Sequence, residues 1–129
     1  MTTKLIPTPL AEAIAKEAAQ HEADPMREGQ VLRVLVAAGY TPQEIAELAG
    51  SSWHRVDMCL TLLDLIDAGK GAMAEGVLPF SLAWFIARLS EPNQQLMLNR
   101  WLRGDFRNVS HAERYASAIC ADEQPQVSF

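Results

Sequence analysis

The sequence predicts an all-α fold, a helix-turn-helix set within a compact multi-helix domain of about six to eight helices. Three observations point there. Apolar residues recur at three- and four-residue spacing along most of the chain, whereas the alternation of a half-buried strand is missing. Proline follows a Thr or Asp at the head of several stretches, a cap-plus-first-residue signature. Most centrally, residues 41–65, TPQEIAELAGSSWHRVDMCLTLLDL, read as two helices joined by a glycine turn.

Residues 1–24 are expected to form an arm and an amphipathic helix. Prolines and threonines in Met1 to Pro9 favour extended chain. Leu10 to Glu22 is alanine-rich, with Leu10, Ile14 and Ala18 on one stripe, Thr8 as cap and Pro9 as first residue. Residues 25–120 form the expected helix-turn-helix domain. Asp24 and Pro25 start its support helix, which carries Val31, Leu32, Leu35, Val36 and Ala38 on its apolar face and stops at Gly39. Thr41, Pro42 and Glu44 then supply a cap, a first-position proline and a capping box. Ile45, Leu48 and Ala49 share a face, Ala46 leaves room for a crossing helix, and Gly50 ends the segment in the left-handed region. Ser52 caps the second helix, whose stripe is Val56, Cys59, Leu60, Leu63 and Ile66 and whose end is expected near Ala68.

Further on, a short helix is expected around Gly71 to Glu75, closed by Gly76. Pro79 opens FSLAWFIARL, read as a buried helix with Phe80, Trp84, Phe85 and Leu89 in the core. Glu91 and Pro92 start a helix that Gly104 terminates, and Ser110 with Glu113 forms a capping box for a last helix carrying Tyr115, Ala116 and Ile119 inward. Residues 121–129 are expected to be a flexible tail.

The stretch GYTPQEIAELAGSSWHRVDMCLTLLDL, followed by AEGVLPFSLAWFIARL, resembles the central DNA-binding domain of the ParB and KorB partition-protein family. That family's pattern is a G-[L]-[ST]-x-x-E-[IL]-A helix, a G-x-S turn, a V-x-x-x-[LC]-x-L-L recognition helix and a G-x-L-S-x-x-x-A-x-x-L helix. The resemblance spans about Arg27 to Tyr115 and implies the DNA-binding domain without the family's nucleotide-binding domain. It departs from the family inside the recognition helix. Where the family carries a basic or polar residue, an arginine, an asparagine and a second arginine, this chain has Ser51, Trp53, Met58 and Thr61.

Composition bounds the function further. With 129 residues, 49% hydrophobic and 21% charged, the chain is ordinary globular material of one-domain size. A formal charge of −5 argues against phosphate binding, but the acid is unevenly spread. Between Ser51 and Arg114, Arg55, Lys70, Arg88, Arg100, Arg103, Arg107 and Arg114 balance the acidic residues. Cys59 and Cys120 make no disulfide framework and suit a reducing cytoplasm. His21, His54 and His111 lack metal-ligand spacing, and no phosphate-binding glycine loop follows a strand. The expectation is a non-enzymatic protein with no catalytic residues, cofactor, metal or membrane span.

The leading edge of the second helix, Ser51, Ser52, Trp53, His54 and Arg55, is the candidate reading surface for double-stranded DNA. Arg55 fits a bidentate guanine contact or, equally, a salt bridge. Trp53 fits a thymine methyl or a protein interface, and Thr41 and Gln43 are placed for phosphate, with capping the competing role of Thr41. The resemblance implies contacts from outside this helix too, for which Arg88, Arg100, Arg103 and Arg107 are the available cations. A weak homodimer through the first or last helix is expected, and the alternative partner is a protein bound by the same fold.

Overall fold

The computed structural model describes residues 4–124 and contains, among them, eight α-helices and no strand. These are α1 (Thr8–Ala19), α2 (Pro25–Ala37), α3 (Pro42–Ala49), α4 (Trp53–Thr61), α5 (Asp67–Ala74), α6 (Phe80–Ala87), α7 (Glu91–Leu102) and α8 (Val109–Glu123), with a 3₁₀ turn at Leu62–Asp64. They fall into two compact units, Met1–Leu63 and Asp64–Phe129. The division therefore lies inside the stretch 25–120 that was expected to be one domain. The expected tail begins within α8, which runs to Glu123, and residues 125–129 lie outside the described residues.

In the first unit, α1 packs on α2 and α3, and α4 packs on α2 and α3. Leu32, Leu35, Ile45 and Val56 are fully buried at its centre, each worth about 1.5–3 kcal/mol of transfer free energy. The face of α1 differs from the expected stripe. Ala11, Ala15 and Ala18 are buried while Leu10 is 54% exposed, because small side chains let α1 approach α2 and α3 closely. The helix also starts a residue early, at Thr8, with Pro7 in the cap position and no side-chain cap. Residues 4–7 are docked on the unit: Leu5 N donates to Ala38 O (3.0 Å), Tyr40 Oη donates to Ile6 O (2.6 Å), and Lys4 pairs with Glu44.

On α2, Leu32, Leu35 and Ala38 are buried as expected, but Val36 faces solvent and Glu28 is buried in its place. Gly29 beside it permits close contact with α4, since a Cβ there would run into the main-chain carbonyl of Cys59. Helix α4 ends at Thr61, well before Ala68. The tighter 3₁₀ turn that follows has about 3.0 residues per turn, so it rotates the register and buries Leu62 and Leu65 where Leu63 and Ile66 were expected.

The second unit packs α6 against α7 and α8, with α5 against α6 and α7. Leu82, Ala83, Ile86 and Ala87 form the buried face of α6 and Leu89 is buried just after it, while Phe80, Trp84 and Phe85 are only half-buried. Gln94 on α7 is 2% exposed and fully used. Its Nε2 donates to Asp64 O (3.1 Å) and Leu89 O (3.0 Å), and its Oε1 accepts from Ile66 N (2.8 Å), which fixes the 64–66 bend. Helix α8 begins two residues earlier than the Ser110 cap requires. Asn108 Oδ1 accepts from His111 N (2.8 Å), and Glu113 accepts from Ser81 Oγ (2.9 Å) instead of closing a box. Its inward residues are Ala112, Ala116 and Cys120, with Tyr115 39% exposed.

Candidate nucleic-acid interface

Helices α3 and α4 are joined as the sequence predicts. Thr41 Oγ1 accepts from Glu44 N (3.2 Å) while Glu44 Oε1 accepts from Thr41 N (3.0 Å), so the capping box is complete. Lys4 holds the Glu44 carboxyl below its ordinary range, with the Thr41 amide adding to the effect. At the other end Gly50 adopts φ +67°, and Ser51 N donates back to Ala46 O (2.9 Å), which satisfies a terminal carbonyl of α3. Ser52 then caps α4 by accepting from Arg55 N (3.1 Å). With both helix starts capped and the turn set by a left-handed glycine, the first turn of α4 is held at the surface.

Thr41, Gln43, Ser52, Trp53 and His54 are all exposed and Ser51 half-exposed, so this part of the expected surface comes together along the α3–α4 edge. Trp53 keeps 47% of its surface in solvent. Thr41 and Ser52 carry their capping roles as well.

Arg55 does not project outward. Its Nη2 donates to Glu28 Oε1 (2.8 Å) and to Glu22 O (2.9 Å), and its Nε donates to Glu28 Oε2 (3.3 Å). The Glu28 side chain is 6% exposed and that of Arg55 26%. The guanidinium is held above its ordinary pKa by this pair, against the opposing effect of burial. Burial first, and the Glu28 charge second, push the neighbouring Cys59 thiol up to about 12. Beside the pair lies a cavity of about 200 Å³, lined among others by Glu22, Glu28, Gly50, Ser51 and Arg55. Swinging Arg55 out to a base would strand the Glu28 carboxylate, a loss of about 2–4 kcal/mol once the partial exposure of Arg55 is allowed for. A bidentate guanine contact returns only about 1–3 kcal/mol. Of the two roles open to Arg55, the structure shows the ion pair, which ties α4 to Glu28 on α2 and to the turn between α1 and α2.

Glu28 was missed by the sequence reading. The signal was present, since Glu28 lies four and seven residues before Leu32 and Leu35 on the same buried stripe, where an acid requires a cationic partner.

The four other candidate arginines, Arg88, Arg100, Arg103 and Arg107, belong to the second unit. Arg100 stacks on Tyr115 and Phe106 (4.5 and 4.8 Å to the ring centroids) and reaches Asp105 through Nε (3.5 Å). Arg103 Nη2 donates to the same Asp105 oxygen (2.9 Å), and its hydrogen bond is the main cause that lowers the Asp105 pKa. Arg107 is exposed two residues after Asp105, and its main-chain N donates to His111 Nδ1 (3.1 Å). Arg88 stands apart from this group at the end of α6, exposed and 4.9 Å from the Trp84 ring.

Among solved structures the chain is similar to the crystal structure of the DNA-binding domain of the chromosome-partitioning protein ParB complexed to the centromeric parS site. The TM-score is 0.74 at 19% identity, over 96% of this chain and 89% of that one. The fold is that of the ParB DNA-binding domain. No protein-family model and no curated protein matches the sequence. The likeness agrees with the all-helical content of the described residues. On this fold the chain places Trp53 at the leading edge of α4 and turns Arg55 inward onto Glu28. Among the described residues, no helix is long and apolar enough to cross a membrane.

Proposed function

We propose that the chain is a non-enzymatic, sequence-specific binder of double-stranded DNA, acting in the cytoplasm as a transcriptional regulator or partition accessory factor of plasmid or phage type. The observation that carries this reading is the α3–Gly50–α4 unit, capped at both helix starts and presenting Ser52, Trp53 and His54 to solvent. The similar ParB domain, whose structure holds parS DNA, supports the same use of this fold. In such a complex the first turn of α4 enters the major groove, and main-chain N–H groups and hydroxyls at the starts of α3 and α4, with Gln43, meet phosphates. Arg88 and Arg107, exposed in the second unit, are the candidates for additional phosphate contacts, whereas Asp105 engages Arg100 and Arg103. A weak homodimer pairs two α4 helices on half-sites about 34–36 Å apart.

An electrophoretic shift series against genomic fragments tests the reading. Specific complexes whose affinity falls as salt rises from about 50 to 200 mM support it, and no complex at the lowest salt removes it. In that event the second reading takes its place. The acidic balance and the exposed Trp53 indole favour a protein partner on the same surface.

A further inference from the structure

We infer that Trp53 reads thymine through its C5-methyl group, so that the first position of α4 selects thymine-bearing steps. This rests on the DNA-binding role proposed for the α3–α4 surface. In the major groove guanine offers two acceptors, which suit a forked cation, whereas thymine offers one acceptor, O4, beside an apolar methyl. Arg55 is the one cationic residue in α4, and both Glu28 oxygens and the Glu22 carbonyl engage it. Releasing it strands a buried carboxylate, a cost that offsets what a guanine contact returns. The hydroxyl of Ser52 accepts the Arg55 amide as a cap, and Asp57 and Met58, a turn further on, are half-buried.

What α4 offers at its first position is an indole, 47% exposed. It is the largest exposed apolar group on the motif, and it carries a single N–H donor. One donor beside a broad apolar face is the complement of O4 beside a methyl. A guanine in the same place would leave its second acceptor dehydrated and unmet.

The test uses the full chain. A duplex enriched from a random-core pool by the wild-type protein is remade with deoxyuridine replacing thymine one position at a time. This exchange removes the methyl and keeps O4. Wild-type affinity is expected to drop about fourfold at one or two positions per half-site, the equivalent of one buried methyl. Trp53→Ala should bind the unmodified duplex more weakly, with no further loss on deoxyuridine, while Trp53→Phe, which keeps an aromatic face, should retain the methyl sensitivity. Circular dichroism confirms that both variants are folded. The inference alone fails if the enriched duplex is bound equally well with deoxyuridine at every position, or if Trp53→Ala keeps the sensitivity. Enrichment of no duplex overturns both it and the DNA-binding role, and points to a protein ligand for the indole.

Discussion

Replacing Arg55 with alanine should unfold the first unit readily, although the residue belongs to a helix edge where substitutions are usually mild. The change removes the guanidinium that neutralises Glu28, whose side chain is 6% exposed, and also the donor to Glu22 O. Breaking a buried pair on one side costs about 3–5 kcal/mol. Arg55 is 26% exposed and the adjoining 200 Å³ cavity gives water a route to the stranded carboxylate, so about 2–4 kcal/mol is the expected loss. For a unit of this size each kcal/mol moves Tm by about 4–8 °C, which sets the expected drop at about 10 °C or more. Thermal and urea unfolding followed by circular dichroism measures it. The double variant Arg55→Met with Glu28→Leu should regain most of the loss, because it removes both charges and keeps the volume. An Arg55→Ala protein that melts with the wild type would refute the reasoning and mean that the guanidinium faces solvent.

Three other outcomes follow from the packing. Gly29→Ala should cost about 1–3 kcal/mol or more in urea unfolding, since its methyl would press on the Cys59 carbonyl and main chain yields less than a side chain; an unchanged midpoint would show that α2 and α4 are further apart. Gln94→Leu should destabilise the second unit by about 2 kcal/mol or more, leaving Ile66 N and Leu89 O without the partners they now have, and a neutral result would mean that water already serves them. Glu123 accepts from Ser90 N, Ser90 Oγ and Asn93 Nδ2 at the start of α7, and the Asn93 and Ser90 hydrogen bonds lower its pKa. A carboxyl depressed by folding stabilises above its unfolded value, about 4.3, and loses that contribution as pH falls through the lower folded value. Wild type should therefore lose stability relative to Glu123→Gln on acidification through this range, and parallel pH profiles would contradict the assignment.

The helix-turn-helix was legible because its determinants are local. Thr41 and Glu44 cap within one turn, Gly50 is chosen by backbone conformation, and Ser52 reaches an amide three residues on. None of these depends on what packs against the motif. The errors arise where tertiary contact decides. Periodicity gives α1 two candidate faces, one leucine-bearing and one of alanines, and only the closeness of α2 and α3 selects Ala11, Ala15 and Ala18. The continuous apolar run after Thr61 hides a bend that Gln94 stabilises from a helix about thirty positions away. Arg55 is the instructive case within the site. Its spacing from Val56 does place it off the apolar stripe, yet a guanidinium is long enough to fold back on Glu28, and only the fold shows which partner is within reach.

The claim that the α3–α4 edge is the DNA-binding face is tested most directly by titrating isotopically labelled protein with a selected duplex and following amide shifts by NMR. The account predicts that the largest changes fall on Thr41, Gln43 and Ser51 to His54, with a shift of the Trp53 indole N–H, while Arg55 stays paired with Glu28. Duplex binding that leaves these amides unmoved and perturbs only residues of Asp64–Phe129 would contradict it.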